Sequence, residues 1–174
     1  AAEMLSDFLV VSGHIDIKDY DRYNATRVTK YNEHGDLVYE EIIYPFDSGT
    51  AMYDYSIVRE YVITYDSEGR KQNCVYISDG KENRRETYTY DSNGNMILQN
   101  SEYPDSPYTE KKEFTYDEDG NLSREVYTYT DGGEAEDQSG IYYDTAYSYD
   151  SKGNLIRRVD QMGDGRIVDV TYTY

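Results

Sequence analysis

Small polar and aromatic residues alternate one by one along much of this chain, as in Glu86-Thr-Tyr88-Thr-Tyr90 and Arg166-Ile-Val-Asp-Val-Thr-Tyr-Thr-Tyr174. A period of two carried by Thr, Tyr and Val is the pattern of a half-buried β-strand. The alternating stretches are broken by the tetrad Asp-x-x-Gly, which reads as a tight hairpin turn. Asp bonds its own downstream backbone, the two middle residues take a type I turn, and Gly supplies the left-handed position of a bulge. Each tetrad therefore predicts a β-hairpin, with Gly35, Gly69, Gly94, Gly120 and Gly153 at the turns.

The hairpins are copies of one phrase, Tyr-x-Tyr-Asp-x-x-Gly-Asn. It reads Tyr88-Thr-Tyr90-Asp91-Ser-Asn-Gly94-Asn95, Phe114-Thr-Tyr116-Asp117-Glu-Asp-Gly120-Asn121 and Tyr147-Ser-Tyr149-Asp150-Ser-Lys-Gly153-Asn154. Two weaker copies precede these, with Asn32 in place of Asp in one and Arg70 in place of Asn in the other; Tyr172-Thr-Tyr174 is a partial sixth. Second turns lie between copies at Asp79-Gly80, Pro104-Asp-Ser-Pro107 and Gly163-Asp-Gly165. The repeat is about 25 residues long, and longer connectors near residues 45–53 and 131–140 stretch two of the intervals. Together these features predict an all-β fold, an antiparallel meander of about twelve strands. The uniform turns line one edge and the variable loops the other.

Placing Asp91 opposite Asn95 puts Tyr90 opposite Met96 and Tyr88 opposite Leu98. One face then collects Tyr61, Ile63, Tyr65, Val75, Ile77, Tyr88, Tyr90, Phe114, Tyr116, Val126, Tyr147, Tyr149 and Val159. The other collects Thr64, Thr87, Thr89, Glu113, Thr115, Ser123, Glu125, Ser148 and Arg158. A twisted sheet with one such face curls to hide it, so a rolled sheet or partly closed barrel with tyrosines inside is expected. Residues 1–24 do not follow the repeat. They are expected to form an N-terminal cap over the apolar face or a sheet edge, ahead of a repeat domain at 25–174 in a single-domain chain.

The copies at 88–95, 114–121 and 147–154 resemble the YD repeat of bacterial Rhs-type wall-associated and secreted proteins and of animal teneurins. The resemblance covers roughly residues 27–174. It implies an extracytoplasmic, non-enzymatic β-structure of a kind often described as carbohydrate-binding, and it supplies no ligand.

Composition changes this picture in one respect. A net charge of −18 with few aliphatic residues is the signature of disorder, yet the chain has 23 tyrosines. A large apolar ring with a hydroxyl can build a half-wet core, so a folded domain with a thin aromatic interior is expected. The acidity argues against nucleic acid and against an anionic membrane surface. No apolar run reaches the roughly 18–20 residues of a spanning helix. A lone Cys74 excludes an internal disulfide and reads as a small packing residue. Ala1-Ala2-Glu3 suits the start left by a removed leader.

Catalytic chemistry leaves little trace. Asp117-Glu-Asp-Gly120 has some of the spacing of an EF-hand loop, but the first and twelfth positions would be Thr115 and Val126, which are unsuitable ligands. His14 and His34 lack a third ligand at metal spacing. With 35 acidic residues, close carboxylate pairs carry no signal for glycoside hydrolysis. Phosphate-loop, Gly-x-Ser-x-Gly and His-Glu-x-x-His motifs are missing from the sequence. No enzyme activity, cofactor or metal is expected.

The reading that fits best is an extracytoplasmic, secreted or cell-envelope binding or adhesion module, with a glycan or a cell-surface protein as partner. The alternatives are a structural repeat segment of a larger surface or shell protein, and an acidic immunity or inhibitor protein for a basic toxin. A lipid-facing barrel is disfavoured because Glu86, Lys112, Arg124 and Arg157 would have to meet lipid. A ligand site belongs on the edge formed by the long connectors. There Tyr53, Tyr55, Tyr142 and Tyr143 supply rings, and Asp47, Asp54, Glu134, Glu136 and Asp137 supply acceptors.

Overall fold

Each Asp-x-x-Gly closes its hairpin with the same set of hydrogen bonds. In the copy at 88–95, the Gly94 N–H donates to the Asp91 carbonyl (3.1 Å) and the Asp91 N–H to the Asn95 carbonyl (2.9 Å). The Asp91 carboxylate accepts from the N–H groups of Asn93 and Asn95, both at 2.9 Å, and from the Asn95 amide at 3.1 Å. Asp117 and Asp150 repeat the pattern. The turn glycines from Gly35 to Gly153 take φ between 78° and 89°, a range that strains any residue with a Cβ. The two departures from the phrase keep the geometry. Arg70 reaches Asp66 through Nε at 2.7 Å where the other copies use the Asn amide, and Asn32 Oδ1 accepts from the His34 and Asp36 N–H groups at 3.0 Å.

A computed structural model describes residues 15–20, 25–44, 55–131 and 140–174. They form β1 (Ile15–Tyr20), β2 (Ala25–Tyr31), β3 (Leu37–Tyr44), β4 (Tyr55–Tyr65), β5 (Lys71–Ser78) and β6 (Lys81–Tyr90). The second half continues as β7 (Met96–Glu102), β8 (Thr109–Tyr116), β9 (Leu122–Thr130), β10 (Gly140–Tyr149), β11 (Leu155–Met162) and β12 (Ile167–Thr171). The strands make one 12-stranded antiparallel meander in chain order, with no helix among the described residues. Among the described residues each strand neighbours the next and no pairing joins β1 to β12, so the sheet they form is all-β and not hydrogen-bonded into a closed barrel. Of the cap expected over residues 1–24, only β1 lies within the described residues.

The described residues fall into two compact units, one reaching to Ile63 and including Val75–Asn83, the other made of Thr64–Cys74 and Arg84–Tyr174. The first is centred on Glu40, 4% exposed, whose carboxylate is held by Arg27 Nε and Arg59 Nη1, each at 2.6 Å. Those two guanidiniums outweigh the burial that opposes ionisation and keep the Glu40 carboxyl below its usual range. Tyr39, one residue earlier, donates to Glu41 at 2.9 Å; burial and that carboxylate push its phenol up to about 12.

In the second unit the register corrects one expectation. Tyr90 does face Met96, as do Tyr116 and Leu122, and Tyr149 and Leu155. The next pairs are Thr89 with Leu98, Thr115 with Arg124 and Ser148 with Arg157, so one residue is skipped just after each turn. This bulge turns the following residues over. Tyr88 therefore faces Gln99 rather than Leu98. Glu125 and Arg158, expected beside the threonines, lie opposite Phe114 and Tyr147 on the tyrosine face. Val126 and Val159 move to the other face, opposite Glu113 and Ala146. The faces still differ in burial: β8 alternates strictly, with Phe114 and Tyr116 half-buried and Glu113 and Thr115 exposed.

The second tyrosine of the phrase ties one hairpin to the preceding one. Tyr116 Oη donates to the Met96 carbonyl and Tyr149 Oη to the Leu122 carbonyl, both at 2.9 Å; Tyr174 Oη donates to the Leu155 carbonyl at 3.0 Å. Each acceptor belongs to the residue after the repeat's Asn. Among the described residues the buried apolar side chains are Ile42 and Cys74, while Thr29, Glu40, Ser101, Thr145 and Asp160 are buried and polar. Thr145 Oγ1 donates to Asp160 at 2.8 Å. Asp160 also accepts from Arg158 Nε at 2.8 Å.

The turns set an acid limit to stability. Hydrogen bonds from the residue four positions on hold Asp66, Asp91, Asp117 and Asp150 below the usual carboxylate range. Carboxyls depressed in the fold contribute stability that is fully present above the unfolded value of about 3.9 and is lost as pH falls through the folded values. Thermal melts are expected to be flat around neutrality and to fall steeply in that acid window. Asp117→Ala should lower the melting temperature, while Asp117→Asn, which the Asn32 turn shows to be compatible, should retain most of it.

Candidate functional site

The strand ends opposite the uniform turns bring six tyrosines together. Tyr127 and Tyr129 are two apart on β9 and so share a face. Tyr103 and Tyr108 flank the short turn into β8, which is closed by the Ser106 N–H on the Tyr103 carbonyl at 2.9 Å. Neighbours such as Tyr142 and Tyr143 would point to opposite faces of a regular strand, but β10 carries a bulge between Ile141 and Tyr143 that brings both rings against Tyr127. Gly163 holds the bulge. Its N–H donates to the Tyr142 carbonyl at 3.0 Å, and a Cβ there would lie 1.8 Å from the Ile141 carbonyl oxygen.

The rings form a connected cluster. Centroid separations are 5.4 Å for Tyr103–Tyr108, 6.3 Å for Tyr108–Tyr129, 4.5 Å for Tyr129–Tyr142, 4.6 Å for Tyr127–Tyr142 and 5.3 Å for Tyr127–Tyr143. The Tyr108 and Tyr142 hydroxyls touch. Gly140, opposite Tyr129, leaves room for that ring, since a Cβ would sit 2.7 Å from its hydroxyl. Tyr142 is 41% exposed and the other five are half-buried.

Charged groups are threaded among the rings. Glu110 accepts from Tyr103 Oη at 3.2 Å and Tyr108 Oη at 3.0 Å. Glu125 accepts from Tyr143 at 2.6 Å and Tyr147 at 3.3 Å. Lys112 Nζ lies 4.9 Å above the Tyr127 ring. Beside the cluster, Arg84, Glu86, Gln99, Ser101, Glu110, Lys112 and Tyr127 line a polar pit of about 140 Å³. Burial first, then the adjacent carboxylates, raise the phenols of Tyr127 and Tyr143 well above their ordinary value. For Tyr108 burial comes first, then its hydrogen bonds to Tyr142 and Glu110. A second cleft, of about 460 Å³, lies between the turns at 91–95 and 117–120 and has an acidic rim. Among the described residues no group of three or more His, Cys, Asp or Glu is placed to hold a metal ion.

No protein-family model matches the sequence, and no curated protein matches it. Among solved structures, the chain is similar to a porin-like protein from Bacteroides uniformis, at 12% identity over 90% of this chain and 91% of that one, with a TM-score of 0.38. It is also similar to a protein of unknown function from Bacteroides fragilis, at 13% identity over 92% and 94% of the two chains, with a TM-score of 0.22. Likenesses this distant assign no property to the chain.

Of the site residues expected from sequence, Tyr142 and Tyr143 come together in the cluster. Tyr55 begins β4 opposite Tyr44, in the other compact unit. Tyr53, Glu134 and Glu136, with Asp47, Asp54 and Asp137, lie outside the described residues. Sequence reasoning missed Tyr103, Tyr108, Tyr127, Tyr129 and Glu110. The available signal was position: all five sit towards the strand ends opposite the uniform turns, beside the turn at 104–107 or the connector at 131–140.

Three outcomes check this arrangement. Phenols raised in the fold stabilise it fully below the unfolded value of about 10, and that contribution is lost as pH climbs through the folded values. Phenolate absorbance should therefore rise in two stages, with the second coinciding with loss of β-sheet circular dichroism. Gly163→Ala should lower the melting temperature strongly. Gly140→Ala should cost little, because the Tyr129 ring can swing aside, yet it should change the near-ultraviolet circular dichroism of the cluster.

Proposed function

We propose that the chain is a non-enzymatic binding module working outside the cytoplasm, secreted or in the cell envelope, and that its ligand is a glycan seated on the tyrosine cluster of β9, β10 and the turn into β8. The observation that carries the reading is the convergence of six rings at one edge, with the bulged and most exposed ring, Tyr142, at its rim. A sugar ring has an apolar C–H face and a hydroxyl edge. Rings with hydroxyl tips match both, and a rigid sheet holds them in place with little entropy to lose on binding. The carboxylates nearest the cluster, Glu110 and Glu125, already accept tyrosine hydroxyls, which suits positioning rather than acid–base turnover.

Two further features support the setting. The repeated turns that carry the resemblance to YD repeats share one hydrogen-bonding pattern from Asp66 to Asn154. The face opposite the tyrosines carries exposed ion pairs, Arg124–Asp144 and Arg157–Asp169, which suit water rather than lipid. No helix of the described residues is long and apolar enough to cross a membrane.

A glycan array followed by titration calorimetry tests the reading. Tyr142→Ala and Tyr129→Ala should each weaken the glycan found by about tenfold or more, equivalent to roughly 1.4 kcal/mol. An array without a binder would overturn it and favour a structural repeat segment, the reading supported by the tyrosine–carbonyl ties between hairpins. Binding that survives both substitutions would move the site off the cluster.

A further inference from the structure

The cleft of about 460 Å³ between the turns at 91–95 and 117–120 lies where two hairpins part. The ladder between β7 and β8 ends at Leu98 and Glu113, although β8 runs on to Tyr116. Ile97, Phe114 and Tyr116 give this wedge apolar and aromatic walls. Asp91, Asp117, Glu118 and Asp119 edge it, and no Lys, Arg or His lines it. Acidic turns alone are an ordinary solvated edge. The preceding copy of the repeat shows what such a wedge holds.

There Arg70 reaches out of the turn at 66–70 and lays its guanidinium over the Tyr90 ring of the next hairpin, 4.8 Å from the centroid. Its Nε donates to Asp66 at 2.7 Å, and its Nη1 lies 2.8 Å from Glu68. The same Nη1 would be 3.9 Å from a Cβ on Gly94, so the side chain bridges one turn to the next. In the following copy Tyr116 stands where Tyr90 does, Asp91 where Asp66 does, and Asn95 where Arg70 does. The Asn95 amide donates to Asp91 at 3.1 Å, as Arg70 Nε does to Asp66, but it brings no charge and no guanidinium plane. Asn93 replaces Glu68, and acid is supplied instead by Glu118 and Asp119 on the facing turn. The second wedge thus has the ring and the carboxylates of an arginine seat, and its sequence has no arginine to fill it.

We propose that this cleft docks an arginine carried on a basic segment of a partner protein, with the guanidinium on the Tyr116 ring as that of Arg70 lies on Tyr90. A planar guanidinium can stack on a ring while its N–H edge donates to carboxylates, which an ammonium cannot do. Asp91 and Asp117 each already accept backbone N–H groups of their own turns. Glu118 and Asp119 make no such turn bonds through their side chains, so they are placed for cations on either side of the arginine. Four carboxylates exceed the charge of one guanidinium, which is why the occupant is a basic segment rather than a single residue. The cleft belongs to the edge of uniform turns, away from the tyrosine cluster, and does not depend on a glycan there.

Titration of the full ¹⁵N-labelled chain with acetyl-Lys-Arg-Lys amide, followed by nuclear magnetic resonance, tests the proposal. The largest shifts should fall on the amides of Asn95, Asp119 and Gly120. Acetyl-Lys-Lys-Lys amide, of equal charge, should bind severalfold more weakly, and salt should weaken both. Asn95→Arg, at a position where Arg70 shows that the turn accepts arginine, should fill the cleft from within and abolish the shifts while the circular dichroism stays that of the parent. Arg70→Asn should open the preceding wedge and extend the shifts to Glu68 and Gly69. Equal binding of the two peptides, shifts spread evenly over every acidic turn, or shifts that survive Asn95→Arg overturn the proposal.

Discussion

The tyrosine hydroxyl is the group on which this structure depends. A sheet with few aliphatic side chains has no oily interior in which to hide its protected face, and a polar group left without a partner there costs about 1–3 kcal/mol. Tyrosine meets both needs, since the ring removes area from water and the hydroxyl supplies a donor where the backbone or a carboxylate has spare acceptor capacity. Tyr116 and Tyr149 spend that donor on a carbonyl of the preceding hairpin. Tyr88, Tyr103, Tyr108, Tyr143 and Tyr147 spend theirs on Glu86, Glu110 and Glu125.

Glu86 and Glu110 share the protected face with Tyr88 and Phe114 by simple alternation along β6 and β8, whereas Glu125 reaches it because of a turn. The bulge just after each Asp-x-x-Gly shifts the second strand by one residue, which exchanges Val126 and Val159 for Glu125 and Arg158. A regular hairpin would have made a more apolar face with fewer acceptors. At Glu125 the repeated turn and the repeated tyrosine are thus two parts of one solution: the turn brings the charge inward, and the phenols of Tyr143 and Tyr147 bond it.

Much of this was legible from residues alone. Alternation and turn chemistry foretold an antiparallel meander, about twelve strands and the positions of five turn glycines, because these follow from local backbone preferences. Tyr90–Met96, Tyr116–Leu122 and Tyr149–Leu155 were legible for the same reason. The bulge beyond them was not, since a one-residue skip leaves the phrase unchanged and shows only in the pairing. The candidate site was half legible. Tyr142 and Tyr143 stood out beside a long connector, but the partners that make them a cluster come from β9 and from the turn before β8, which only the sheet order brings near. That both rings meet Tyr127 depends on the bulge at Tyr142, whose carbonyl takes the Gly163 N–H and beside which only a residue without a Cβ fits, a contact with no local signature.

The claim that hydroxyls, and not rings alone, hold the sheet is tested most directly by removing the oxygen and nothing else. Denaturant unfolding of Tyr116→Phe and Tyr149→Phe should show each losing about 0.5–1.5 kcal/mol, the ordinary net worth of a hydrogen bond. Tyr174→Phe, at a ring 84% exposed, should change little. Tyr116→Phe and Tyr149→Phe variants as stable as the parent, or more stable, would contradict the account and leave the rings' burial as the only force the tyrosines contribute.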